Sequence, residues 1–363
     1  MATTMIVLSL LIIVISILPF IPNQHWVFRV PEFMKLQLLC CQAVIFPLTF
    51  YFAKEHPWLW AVQFIQLLFI GHHIYILIRY TSIWRKPVRI QHSTSSESIY
   101  ILSCNVYQFN TEYQRFVYLV QKEQPDMFLT MESNKDWLHA LQVFEQDYPY
   151  RQYHTTEDTY GMHLFSKLKF KSIKTNFFVA DDVPSMEAIV ETEDGYQFLF
   201  FAVHPPPPSP TEEATAKERD GDLLSIAKRI RTQKLPAVVM GDFNTVAWAK
   251  TSKLFRKTSK LIDARIGRGI LATFHAKYFF FRVPLDLCYH SPEIFIKELK
   301  VHPTVGSDHY PVKCEFHIDH YNDEQEERVV DLEKGEMEVV NDYIEEGVEE
   351  ESENRNDPDY GKE

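Results

Sequence analysis

Two short stretches of this chain carry residue types that could handle a phosphate together: Gly241-Asp242-Phe243-Asn244 and Gly306-Ser307-Asp308-His309. The first follows the apolar run 236–240, and the second precedes Tyr310-Pro311-Val312, so each sits where a strand meets a loop. Strand ends on a rigid sheet can aim carboxylate, amide and imidazole groups at one point. Such a set can bind a hard divalent cation, position a water and steady a phosphate.

The elements that must position these groups are short apolar runs reaching a polar residue. The run 98–104 ends in Asn105, 126–131 in Glu132, and 196–203 in His204, which four prolines follow. Val283-Pro284-Leu285 leads to Asp286, with Leu287-Cys288-Tyr289 beyond. Residues 111–123, 133–144 and 214–233 read as helices. Phe116, Leu119 and Val120 share one face of the first; Leu223, Leu224, Ala227 and Ile230 form a stripe on the last. Residues 160–204 read as short strands with turns at Asp181-Asp182 and Asp194-Gly195, and the chain beyond 233 returns to strands. Tyr278 with Phe279-Phe280-Phe281 reads as hairpin core ahead of the alternative, a lipid-facing or substrate-facing loop. Periodicity alone gives mixed α and β.

Each polar group has a bland reading. Asp-Phe-Asn after Gly makes an Asx-turn, Asp308-His309 a simple loop, Asp286 a satisfied buried carboxylate, and His204 the start of a polyproline segment. Their joint order outweighs these. With Asn105, Glu132, His204, Gly241-Asp242-Phe243-Asn244, Asp286 and Ser307-Asp308-His309 in sequence, residues 97–318 resemble the endonuclease/exonuclease/phosphatase superfamily of DNase I-like proteins. Tyr160-Gly161 running into Leu164-Phe165-Ser166-Lys167 also resembles the family's central strand.

The resemblance implies an α+β fold, a four-layer αββα sandwich, and a metal-dependent hydrolase acting on phosphate ester bonds. Mg²⁺ prefers oxygen ligands and takes one or two carboxylates; Glu132 is the first choice, with Asp308 nearby, Asn105 supporting, and Mn²⁺ a substitute. Asp242 would orient or deprotonate the attacking water, and Asn244 would hydrogen-bond that water or a phosphate oxygen. His309 would stabilise the growing charge, held in its tautomer by Asp286. His204 would steady or protonate the leaving group, and Lys167 with Asn244 would touch the substrate.

Ahead of this domain the sequence turns apolar. Residues 5–21, 33–52 and 58–78 suit three transmembrane helices, within a region 1–80 that a polar linker, 81–96, follows. A cleaved signal peptide fits the first span poorly, because residues 1–4 lack Lys or Arg and no small-x-small site follows Phe20. The first and third spans are flanked on one side by Arg29, Lys35, Arg79, Arg85, Lys86 and Arg89, against Lys54 on the other. The positive-inside rule then places the catalytic domain of an inner-membrane protein in the cytoplasm. Arg79, Arg85, Lys86 and Arg89 also suit anionic membrane lipid.

Net charge is −12, but residues 1–97 give +4, residues 98–318 give −1 and residues 319–363 give −15. The last segment, rich in charge runs such as Glu349-Glu350-Glu351, reads as an acidic disordered tail. A nearly neutral domain lacks the broad positive field that gripping duplex DNA needs. The five cysteines offer neither a disulfide framework nor zinc spacing. A lipid-linked phosphodiester, phosphomonoester or pyrophosphate is therefore the favoured substrate. The alternatives are a membrane-tethered nuclease acting on nucleic acid and a non-catalytic scaffold. The scaffold would show a broken motif set, and every main motif residue is present.

Overall fold

The computed structural model describes residues 2–54, 56–84, 98–319, 322 and 324–350. The linker cations Arg85, Lys86 and Arg89 and the segment from 351 onward lie outside them. The chain begins with α1 (Ala2–Ile17), α2 (Trp26–Phe33), α3 (Lys35–Ala53) and α4 (Leu59–Leu77). Three windows, Thr3–Phe20, Lys35–Ala53 and Leu59–Tyr80, are long and apolar enough to cross a membrane. The short α2 was not anticipated, because Arg29, Pro31 and Glu32 read as a polar break between spans. All three are buried in the structure.

The chain continues through β1 (Ile99–Asn105), α5 (Tyr113–Glu123), β2 (Met127–Met131), α6 (Lys135–Leu141), β3 (Tyr150–His154), β4 (Met162–Ser166), β5 (Lys169–Asn176), β6 (Ser185–Glu191) and β7 (Gln197–Val203). After these come α7 (Lys217–Arg231), β8 (Ala237–Asp242), α8 (Lys250–Ser259), β9 (Ile262–Asp263), β10 (Asp286–His290), β11 (Ile294–Val301), β12 (Val312–Ile318) and α9 (Glu336–Val348). The strands make two mixed six-stranded sheets, in the orders β11-β12-β1-β2-β4-β3 and β5-β6-β7-β8-β10-β9.

Both faces of the central strands are apolar because both are covered. Ile99 and Ile101 of β1 join Phe198, Phe200, Val238 and Met240 between the sheets. Their neighbours Leu102 and Cys104 point outward onto Phe116 of α5 and Trp137 of α6. Leu199, Phe201 and Val239 pack beneath α7, α8 and α9 on the other outer face, where Ile76 and Leu77 of α4 join them. Helices, two sheets and helices thus stack in layers around the core.

Four expectations need correction. Asp286 opens a strand instead of closing one, and antiparallel pairing of β10 with β8 sets it opposite Asp242. Helix α8 lies where only strands were expected; its polar sequence hides the buried Leu254 and Phe255. Phe279–Phe281 form a turn of 3₁₀ helix with Phe280 79% exposed, so this is not hairpin core.

The acidic tail is not wholly disordered either. Gly347 of α9 meets Gly221 of α7 so closely that a Cβ on Gly221 would lie 3.1 Å from its Cα. Val340 and Tyr343 are buried, and Lys257 binds Glu333 and Glu336 at 2.9 and 2.8 Å. Apolar burial and borrowed cations offset the acidity that composition alone emphasised.

Candidate active site

Parallel pairing of β1 with β2 sets Asn105 beside Met131, so Glu132 follows at the same sheet edge. Asn105 Nδ2 donates to Glu132 Oε1 at 2.7 Å and lies 3.2 Å from Asp242 Oδ2. One amide therefore bridges the two sheets. The close approach of β8 to β7 requires Gly241: at φ +149°, a Cβ would sit 2.0 Å from the Val203 carbonyl oxygen. Ser307 closes the ring, donating from Oγ to the Asn105 carbonyl at 2.8 Å and accepting from the His309 N–H at 3.0 Å.

The two histidines of this site are driven in opposite directions. Burial opposes charge on His309, but Asp286 Oδ2 at 2.8 Å from Nδ1 and Asp242 Oδ2 at 3.4 Å from Nε2 outweigh it and raise its pKa well above the usual value. Burial instead lowers His204 to about 4, against the weaker pull of Asp242 at 4.0 Å. The carboxylates thus favour the charged ring at His309, and burial favours the neutral ring at His204. Opposed shifts in neighbouring titratable groups are characteristic of acid–base sites.

The carboxylates show what the site lacks by itself. Burial, then the charge of Asp308, raises Glu132 to about 7, although Asn105 and the Gln108 N–H donate to it. Burial likewise raises Asp242. Among the described residues no three or more His, Cys, Asp or Glu side chains form a metal-ligand cluster. Two carboxylates and an amide fit Mg²⁺, which keeps several of its waters, better than a closed protein cage.

Asn244 adopts φ +48° and donates from Nδ2 to the Pro205 carbonyl at 2.9 Å, so one amide proton is committed to the polyproline loop. Arg219, buried on α7 and paired with Asp220, holds the Asn244 carbonyl from behind at 3.0 Å. In the sequence Arg219 looks like part of a solvated charge run, with no signal of this role. Lys167 lies elsewhere. Its N–H donates to the Asp126 carbonyl at 2.8 Å and its Nζ reaches the Gln124 carbonyl at 3.2 Å, at the opposite end of β2. Six residues of strand separate it from Glu132, about 20 Å. It stands apart from the cluster that Glu132 joins.

Apart from Asn105 and Asp286, which stand behind them, the remaining groups line one cavity of about 280 Å³. Glu132, His204, Asp242, Asn244, Asp308 and His309 form its polar floor. Val30 and Phe33 of α2 stand in its wall beside Tyr160 and Phe274, a contribution no motif announced.

A cavity at the joined edges of two mixed sheets, floored by carboxylates, amide and imidazoles, defines a phosphoesterase of the two-sheet kind. The chain belongs to the Endonuclease/Exonuclease/phosphatase family, whose model matches residues 102–309. It is a hydrolase of phosphate ester bonds.

Solved structures share the fold. D. rerio TDP2 humanised by 14 mutations is 16% identical with a TM-score of 0.52, matching 61% of this chain and 100% of its own. The human Nocturnin catalytic domain is 19% identical at 0.50, matching 64% and 100%. An endonuclease/exonuclease/phosphatase from Bacteroides vulgatus is 18% identical at 0.51, matching 62% and 100%. No curated protein sequence matches.

Proposed function

We propose that this protein is a membrane-anchored, divalent-metal-dependent phosphoesterase whose substrate is a lipid-linked phosphate ester or pyrophosphate. The observation that carries the reading is the cavity wall: Val30 and Phe33 belong to α2, the segment that joins the first two apolar helices. A site walled by the membrane-proximal segment receives substrate where headgroups lie.

The loop from Phe274 to Arg282 supports this. Phe274 stacks at 4.9 Å on His309, the Ala276 N–H donates to the Asp308 carbonyl at 2.6 Å, and Arg282 accepts from Gln37 of α3 at 2.8 Å. Between these anchors Tyr278, Phe279, Phe280 and Phe281 are exposed, an aromatic tip suited to the bilayer interface.

Glu132 and Asp308, supported by Asn105, would hold Mg²⁺ or Mn²⁺. When bound, such an ion would offset phosphate charge and stabilise the leaving oxygen. Asp242 orients the attacking water and accepts its proton, since its Oδ1 is fixed by the Asn244 N–H at 2.9 Å. His309, charged and locked by Asp286, neutralises the growing negative charge on the phosphoryl group. His204 hydrogen-bonds the leaving oxygen, and the second amide proton of Asn244 meets a phosphate oxygen. Flanking cations place this domain on the cytoplasmic side of the inner membrane.

The test is hydrolysis by the full-length protein in vesicles, with Mg²⁺ and with EDTA. A lipid-linked phosphate should exceed bis-p-nitrophenyl phosphate and single-stranded DNA in kcat/KM by more than about tenfold. Equal or faster cleavage of DNA would overturn the lipid reading. Phosphate release unaffected by EDTA would overturn the metal.

A further inference from the structure

A second and larger cavity, about 570 Å³, lies where α1, α2 and α4 meet α8 and α9. It has the opposite character to the catalytic one. Six basic side chains line it against two acidic ones, Glu32 and Glu336. Three of the six are engaged: Lys257 by Glu333 and Glu336, Lys250 by the Tyr343 hydroxyl at 2.9 Å, and Arg79 by the Tyr75 hydroxyl.

The other three are Lys35, Lys253 and Arg256. Among the described residues neither these three nor Arg79 has a carboxylate within ion-pair distance. Lys35 is only 5% exposed, and the Nε atoms of Arg79 and Arg256 are buried without an acceptor. Desolvation, against the pull of Glu32 and with the repulsion of Arg79, Arg256 and Lys257, lowers the pKa of Lys253. Lys35 is buried, Arg79 and Arg256 are half-buried and Lys253 reaches solvent at the mouth; crowding these like charges around one cavity is costly, and an anion bound here would relieve it.

The remaining lining says which anion. Phe20 at the end of α1, Ile76 on α4, Leu254 and Trp248 make one side of the cavity apolar, continuous with the helices of membrane-spanning character. We propose that this cavity binds the phosphate headgroup of an anionic phospholipid, with its acyl chains laid along Phe20 and Ile76. A headgroup held there would tie the apolar helices to α8 and α9 from the membrane side. This rests on the membrane reading of α1, α3 and α4 but not on the catalytic one.

The test measures binding, not turnover. Full-length protein in a neutral maltoside detergent is titrated with phosphatidylglycerol, phosphatidylcholine or inorganic phosphate, read by native mass spectrometry and thermal unfolding. Wild type should retain one phosphatidylglycerol in preference to phosphatidylcholine. The double variant Lys253→Gln/Arg256→Gln should weaken it about 30-fold, at roughly 1 kcal/mol per interfacial cation.

Without lipid, the double variant should unfold at or above the wild-type temperature, because like charges have been removed. The single variant Lys253→Gln should show the same signs at smaller size. Equal retention of both lipids, or binding unchanged in both variants, would overturn the proposal. Displacement by inorganic phosphate at lipid-like concentration would overturn the lipid as its source.

Discussion

The two cavities stand on either side of one short helix and ask for opposite charges. Val30 and Phe33 face the catalytic cavity, while Glu32 and, one residue past the helix, Lys35 face the basic one. In the first, carboxylates crowd together and burial lifts Glu132 to about 7. In the second, ammonium and guanidinium groups crowd together and desolvation lowers Lys253, although it still reaches solvent. The comparison teaches that where several like-charged groups are pushed toward neutrality together, the sign of the crowd names the partner that would relieve them.

The sharpest break would come at Glu132. Glu132→Gln keeps the shape and removes the charge, so turnover should fall about 10³-fold and the response to added Mg²⁺ should flatten. Undiminished kcat across a Mg²⁺ titration would remove Glu132 from the site. His309→Ala should cost a similar factor. Asp286→Asn, a change in a positioning residue, should cost about 10- to 100-fold, because the ring stays but loses its orienting carboxylate. Steady-state kinetics on the three proteins rank them, and a larger loss for Asp286→Asn would invert the proposed roles.

The α2 wall of the catalytic cavity predicts a smaller and more selective effect. Val30→Asn or Phe33→Ser should raise KM for a lipid-linked substrate about tenfold and leave hydrolysis of a soluble ester near wild type. Parallel losses on both substrates would make α2 a structural brace only.

The smallest effect comes from a control outside both cavities. Burial, then the charge of Glu218, raises Asp222 of α7 to about 7. Its folded pKa exceeds the unfolded one, so between roughly pH 4 and 7 the folded state holds the extra proton and this group makes stability fall as pH rises. Asp222→Asn should therefore raise the unfolding midpoint by a few degrees above about pH 7, add little near pH 4, and leave turnover unchanged. Loss of activity in that variant would place Asp222 among the functional groups instead of the scaffold.

Much of the frame was legible because its signals are local. Runs such as 98–104 and 196–203 are short, apolar and bounded by polar residues, and strands are what such runs make. Helix α5 follows from Phe116, Leu119 and Val120 at helical spacing. Helices α2, α8 and α9 were missed because their burial is carried by residues that read as polar or small. Arg29 and Glu32 go inside α2, Thr251 and Thr258 inside α8, and Gly347 is the contact of α9. Such residues are buried only when a neighbour supplies the partner or the close approach, which no local window contains. Lys167 shows the converse. Its place beside Ser166 looked like a site, but the antiparallel run of β4 against β2 carries it to the far end of the sheet.

By itself the sequence determined the residue types for phosphate chemistry, their order, the apolar spans and the charge of each segment. Those properties live in adjacent residues and survive without a fold. Tertiary structure decided which polar ends meet. Parallel β1 and β2, antiparallel β8 and β10, and the Ser307 tie bring Asn105, Glu132, Asp242, Asp286 and His309 together from positions up to 204 residues apart. It also decided that α2 divides two cavities of opposite charge, because only packing can gather Lys35, Arg79, Lys253 and Arg256 beside the apolar helices with Glu32 as their nearest acidic neighbour on α2.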